Sequence, residues 1–251
     1  MVLLEVWKYL KSKLANEKLH LTLLDPNKQS PSTAGEMSSQ AADAGTDGIM
    51  IGGSTGISRE SFEQTISEIK NRITLPVIIF PTSASALCSN ADAMFFMSLL
   101  NSKNIKFITR EQMYGAKFIK HTGLETISMG YIIVSPGMVA GEVGQAELIT
   151  RSDYESAINY SLLAQYFGMN LVYLEAGSGA PEPVPTEMVS AVKNNIDIPL
   201  IVGGGIRNSE TAINLAEAGA DVIVTGTVVE DAANIRSTLE KIISSIKKLP
   251  E

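Results

Sequence analysis

Tyr173-Leu174-Glu175-Ala176-Gly177-Ser178-Gly179 passes within a few residues from an apolar run into a polar, glycine-rich one. The apolar part, 170–174, is continuous rather than alternating, the pattern of a parallel strand covered on both faces. The glycine-rich part is then the loop at that strand's C-terminal end. The same pairing recurs in both directions. Downstream, the run 200–202 leads into Gly203-Gly204-Gly205, and 222–224 into Thr225-Gly226-Thr227. Upstream, 19–24 ends in Asp25-Pro26 and 48–51 in Gly52-Gly53-Ser54-Thr55-Gly56; further strand-like runs lie at 77–80, 93–97 and 127–134. The intervening segments carry helix punctuation: Ser58 before 59–72, Gly168 after 152–167, and Asn208 opening a helix that Gly219 stops. Strands alternating with helices define a βα repeat, and about eight of them favour closure into a (βα)8 TIM barrel.

Two segments depart from that repeat. The interval 81–92 lacks a clear amphipathic stripe, so the third helix is expected to be missing, shortened or irregular, opening the flank of the barrel beside its catalytic face. At the N-terminus, Leu3, Val6, Trp7, Leu10 and Leu14 fall on one helical stripe. That helix reads as a cover for the barrel bottom. Its polar face, with Lys8, Lys11 and Lys13, leaves transient contact with a membrane surface as the alternative.

Composition narrows the functions. The 251 residues fit one phosphate-binding domain over 1–251, and 45% hydrophobic residues supply a large core. A net charge of -7 with no basic tail argues against nucleic acid as a partner. Cys88 stands alone and the histidines are His20 and His121, so an internal disulfide is excluded and a zinc site or a histidine-based relay is hard to build. His20 reads as a core residue and His121 as a solvent-facing one near a helix end. With no secretory pattern and no uncharged run approaching the roughly 18 residues of a membrane span, a cytoplasmic location is expected.

In such a barrel the chemistry lies at the C-terminal ends of the strands, and phosphate is held after strands seven and eight. The run Gly203-Gly204-Gly205-Ile206-Arg207 and the pair Gly226-Thr227 therefore read as a phosphate cradle, glycine letting backbone approach an anion closely. The other reading of these glycines is relief of crowding in tight turns. Tyr173 and Glu175 are two apart on one strand and share a face. If that face is the interior, Glu175 projects from the rim toward the ligand, able to orient hydroxyls and act as general base, with Tyr173 a layer below. Asp25 and Ser54 end adjacent strands; one carboxylate and one hydroxyl suit Mg²⁺, which takes its remaining ligands from water and substrate phosphates.

These residues resemble the geranylgeranylglyceryl phosphate synthases of archaeal-type lipid synthesis and their bacterial heptaprenyl relatives. The matching pieces are the segment from His20 to Pro26, Gly52-Gly53-Ser54, the segment 91–102, Tyr173 to Gly179, Gly203 to Arg207, and 224–227. The strand-six run is the most specific of them. The resemblance implies a Mg²⁺-dependent prenyltransferase that joins sn-glycerol 1-phosphate to geranylgeranyl diphosphate, or a longer prenyl diphosphate, through an ether bond. It implies that Tyr173, Leu174, Glu175, Ala176, Gly177, Ser178, Gly179, Gly204, Gly205, Gly226 and Thr227 hold the glycerol phosphate, and that Asp25 and Ser54 hold Mg²⁺. Glu175 is the expected catalytic base, and assembly into a homo-oligomer is expected. Phe80, Phe95, Phe96, Met97, Tyr131, Ile132 and Ile133 are candidates for a prenyl groove, although such a cluster equally describes a core.

Two rival readings remain. One is another phosphate barrel, an isomerase or synthase; the aldolase version lacks a lysine at a strand end. The other is a barrel that binds phosphate or lipid without turnover.

Overall fold

The computed structural model describes residues 5–53 and 58–249. Eight parallel strands close into a barrel in chain order: β1 Leu19–Leu24, β2 Gly48–Ile51, β3 Val77–Ile79, β4 Ala93–Leu99, β5 Glu125–Ile133, β6 Leu171–Glu175, β7 Leu200–Gly203 and β8 Val222–Thr225. Closure comes from β8 pairing with β1, His20 lying opposite Ile223. The (βα)8 reading is correct. Strand ends move by a residue or two, most at β5, which starts at Glu125 because that residue pairs with Ala93 at the start of β4.

Helices alternate with the strands: α1 Val6–Leu14, α2 Pro31–Asp43, α3 Arg59–Lys70, α4 Glu111–Thr122, α5 Met138–Val143, α6 Tyr154–Tyr166, α7 Thr186–Lys193, α8 Ser209–Glu217, α9 Thr227–Glu230 and α10 Ile235–Ile246. Ser58 caps α3 by accepting from Ser61 N, and Asn208 caps α8 by accepting from Thr211 N. The helix read over 152–167 starts two residues later, at Tyr154, with Asp153 as its cap, the carboxylate accepting from Ser156 N at 3.0 Å.

Between β3 and β4 stands only the single 3₁₀ turn Ala84–Ala86, the shortened third crossover read from the sequence. Helix α4 closes over this turn. Gly115 permits the approach, since a Cβ there would lie 2.8 Å from Leu87 Cδ1.

Packing forms an inner and an outer layer, set by strand alternation. Leu21, Met50, Phe95, Met129, Tyr173 and Val224 fill the barrel interior. Ile132, Leu174, Val202 and Ile223 point outward beneath the helices. Val6 and Leu10 of α1 join the interior layer, so the N-terminal helix closes the barrel bottom as expected; Leu3 lies outside the described residues. The free amides at its start are met by Glu125, whose carboxylate accepts from Val6 N at 2.6 Å and Trp7 N at 2.8 Å.

His20 is buried in that lower half, its ring held by Thr46 Oγ1 at 3.0 Å and Thr225 Oγ1 at 2.9 Å. Burial lowers its pKa to about 4, so it stays neutral. His121 is exposed near the end of α4. Both match their expected structural roles.

Candidate active site

Strand β6 carries Tyr173 and Glu175 to the inner face, 1% and 6% exposed, at the C-terminal rim. Leu174 and Ala176 alternate outward into the layer beneath the helices, so their side chains face away from the rim. Glu175 Oε1 accepts from the amide of Gly177 at 2.6 Å, and the Tyr173 hydroxyl hydrogen-bonds the same carboxylate. Burial nonetheless holds the Glu175 carboxyl above its ordinary pKa, the two hydrogen bonds only partly opposing it. The same burial pushes the Tyr173 phenol well up, so it remains a donor.

Glycines bring the neighbouring backbones against this pair. A Cβ on Gly204 would lie 2.4 Å from Glu175 Oε1, and its φ of +84° already favours glycine. Ser178 Oγ and Thr227 Oγ1 meet at 3.1 Å, joining the loop after β6 to that after β8. Arg207 donates to the carbonyls of Gly179 at 3.1 Å and Pro181 at 3.2 Å, so its guanidinium ties the β6 and β7 loops together. The result is a small cavity lined by Ser178, Gly179, Gly204, Gly205, Gly226 and Thr227, with Tyr173 and Glu175 on its inner wall. These residues, scattered over three loops in the sequence, are brought together by the barrel.

A second, larger cavity starts at Glu175, Ser178 and Gly226, crosses the rim past Asp25, Gly53 and Phe80, and continues toward α4. Its far part is mostly apolar. Met97 and Leu99 contribute from the inner side of β4, Met94 and Phe96 from the outer side, so the groove passes over the strand edge where the third helix is absent. Phe107, Gly115 and Ile119 form the opposite wall, with Glu111 and Gln112 as its polar members. Of the expected groove residues, Phe80, Phe96, Met97 and Tyr131 line it. Phe95 and Ile133 are interior core and Ile132 is outer core, with no part in the lining.

Asp25 sits at the crossing. A Cβ on Gly53 would lie 2.4 Å from Asp25 Oδ1, so glycine there makes the space this carboxylate occupies. Asn27 N donates to the same oxygen at 2.9 Å. Ser54, the expected second metal residue, lies outside the described residues. Among the described residues, no cluster of three histidine, cysteine or acidic side chains forms a complete metal cage. One carboxylate with space beside it suits a cation that takes its other ligands from water and substrate oxygens.

Two rim residues escaped the sequence reading. Lys28 lines the large cavity and its Nζ is 2.6 Å from Glu230 Oε2 at the end of α9. Lys28 was findable, three residues after Asp25; nothing in the sequence ties Glu230 to it.

A closed βα barrel whose glycine-built cavity opens into a mostly apolar groove is fitted to ligands polar at one end and oily at the other. The chain belongs to the PcrB family, which matches residues 12–248, the family of the geranylgeranylglyceryl phosphate synthases that its motifs resemble. The geranylgeranylglyceryl phosphate synthase of Thermoplasma volcanium is 50% identical over 244 residues, 97% of each chain. That of Thermococcus gammatolerans is 51% identical, over 97% of this chain and 98% of its own. The crystal structure of (S)-3-O-geranylgeranylglyceryl phosphate synthase from Thermoplasma acidophilum, in complex with substrate sn-glycerol-1-phosphate, superposes with a TM-score of 0.95. It is 46% identical and covers 97% of this chain and 99% of that one. A thiamine phosphate pyrophosphorylase from Pyrococcus furiosus, TM-score 0.59 and 16% identical, shares the fold alone.

Proposed function

We propose that this chain is a prenyltransferase that joins sn-glycerol 1-phosphate to geranylgeranyl diphosphate through an ether bond, yielding geranylgeranylglyceryl phosphate. One observation carries the reading: Glu175 belongs to the walls of both cavities, the cradle and the apolar groove. A carboxylate there faces the point where a glycerol held by its phosphate meets the head of a prenyl chain. The activity of the 46–51% identical relatives supports the same assignment.

In this mechanism the phosphate lies against Gly204, Gly205, Gly226 and Thr227, with Ser178 and the Gly177–Gly179 backbone on its flank. Leu174 and Ala176 contribute main chain only. Glu175, held by Tyr173 and Gly177, accepts the proton of the glycerol C3 hydroxyl as its oxygen attacks the allylic carbon. The carbon–oxygen bond to the diphosphate breaks as the ether bond forms. Asp25, with Ser54, would hold Mg²⁺, which supplies charge neutralisation for the diphosphate leaving group. The apolar groove shields the allylic centre from water. We assign the site to the cytoplasm and to a homo-oligomer; among the described residues no helix is long and apolar enough to cross a membrane.

Incubation with sn-glycerol 1-phosphate, Mg²⁺ and a panel of prenyl diphosphates, followed by mass spectrometry, tests the reading. The ether product is expected, greatest with the C20 chain. Binding without product would favour a non-catalytic barrel, and no binding would favour a different phosphate substrate.

A further inference from the structure

We propose that Lys28 receives the diphosphate of the prenyl substrate, and that Glu230 holds its ammonium group at the rim until the substrate arrives. This rests on the prenyl-transfer reading above.

The charges lining the large cavity motivate it. Among the described residues that line it, Lys28 is the only lysine, arginine or histidine, against the rim carboxylates of Asp25, Glu175 and Glu230; Glu111, on α4, is met by Lys106 at 3.6 Å and by the Ala84 amide. A diphosphate brings several more negative charges into that company. One divalent cation held by Asp25 would offset part of the repulsion and would leave the leaving group short of positive charge. Arg207, which lines the cradle, is occupied with the carbonyls of Gly179 and Pro181.

Lys28 is placed for the task. Its amide donates to Asp25 O at 3.0 Å, and Asn27 N donates to the Asp25 carboxylate, so lysine and carboxylate spring from one closed turn. Its only ion-pair partner among the described residues is Glu230, at 2.6 Å, and its side chain is 46% exposed. The lysine half of the pair is open to solvent while the Glu230 carboxylate is 15% exposed, so an incoming anion reaches the ammonium group from the solvent side and meets it with charge-assisted hydrogen bonds. Glu230 ends the short helix whose first residue is Thr227 of the phosphate cradle. The pair thus joins the diphosphate side of the rim to the glycerol phosphate side. The carboxylate competes with the diphosphate for the same ammonium group.

Competition gives the test its sign. Inorganic pyrophosphate with Mg²⁺ is titrated calorimetrically into the wild type, Lys28→Ala, Lys28→Arg and Glu230→Gln. KM for geranylgeranyl diphosphate and for sn-glycerol 1-phosphate and the melting temperature are measured alongside. Lys28→Ala is expected to weaken pyrophosphate binding about 10-fold or more and to raise KM for the prenyl diphosphate. KM for sn-glycerol 1-phosphate stays within about two-fold, and Lys28→Arg retains most of the binding. Glu230→Gln frees the lysine and is expected to tighten pyrophosphate binding. Weakening in both Lys28→Ala and Glu230→Gln, with matching losses in melting temperature, would make the pair structural and overturn the proposal. Unchanged pyrophosphate binding in Lys28→Ala would overturn it too. Normal pyrophosphate binding by a wild type that yields no ether product would instead sink the prenyl-transfer reading.

Discussion

The phenol oxygen of Tyr173 lies so close over Gly203 that a Cβ at that position would stand 2.1 Å from it. Backbone that near to a phenol fixes the height of the tyrosine, and through its hydroxyl the carboxylate of Glu175. Gly203→Ala is therefore expected to displace Tyr173 at a cost of about 1–3 kcal/mol of stability. Urea denaturation measures the loss. Turnover should fall with it, because the carboxylate loses one of its two donors and keeps only the Gly177 amide.

Glu175→Gln keeps the shape of the site and removes the base. A fall in kcat of about 100-fold or more is expected, with little change in KM for sn-glycerol 1-phosphate. Burial raises the Glu175 pKa, and a carboxylate acting as the proposed base works in its ionised form. The wild-type rate should therefore rise with pH through an apparent pKa above the usual glutamate value. A pH–rate profile should show that limb in the wild type and not in the variant; near wild-type turnover in Glu175→Gln would rule out its role as base.

Gly53→Ala presses a methyl group against the Asp25 carboxylate. The Mg²⁺ concentration for half-maximal activity should rise about 10-fold, in line with disturbing groups that orient a metal ligand. The affinity for sn-glycerol 1-phosphate, measured by calorimetry without Mg²⁺, should not change. Equal loss of both would mean that Gly53 serves the fold rather than the carboxylate.

The neutral His20 makes stability depend on pH. In the unfolded chain a histidine takes up a proton near pH 6.5, whereas in the fold it resists until about pH 4. The lowered pKa thus contributes stability above pH 6.5, lost as pH falls from 6.5 toward 4, by about 3 kcal/mol in all. Denaturation at pH 7.5 and pH 4.5 should give a larger drop for the wild type than for His20→Gln, which has no such proton to gain. Identical drops would contradict the assignment.

The site was legible in the sequence as far as local rules reach. Alternation along β6 put Tyr173 and Glu175 on one face, and the glycines after β7 and β8 marked the cradle. The absent stripe at 81–92 foretold the missing helix. Alternation also points the side chains of Leu174 and Ala176 outward, so of these two residues only the main chain faces the rim. Contacts between segments far apart in the chain left no local trace. Glu125 satisfies amides 118 and 119 residues away, and Lys28 meets a partner 202 residues on. Within the apolar segments, burial in a core and exposure to a groove select the same side chains. Phe95 and Phe96 differ only in which side of β4 they face.

The turn at Ala84–Ala86 has a consequence beyond access. Elsewhere around the barrel a helix dries the outer face of the sheet; here the outward side chains Met94 and Phe96 border the groove instead. A prenyl tail lying there, as proposed above, would take over the helix's role and make the substrate a temporary structural layer of the protein. Binding should therefore raise the melting temperature through the apolar surface the tail covers as well as the charges its head satisfies. Letting the product go then requires peeling away part of the barrel's own wall, so longer tails should leave more slowly even where they react equally fast.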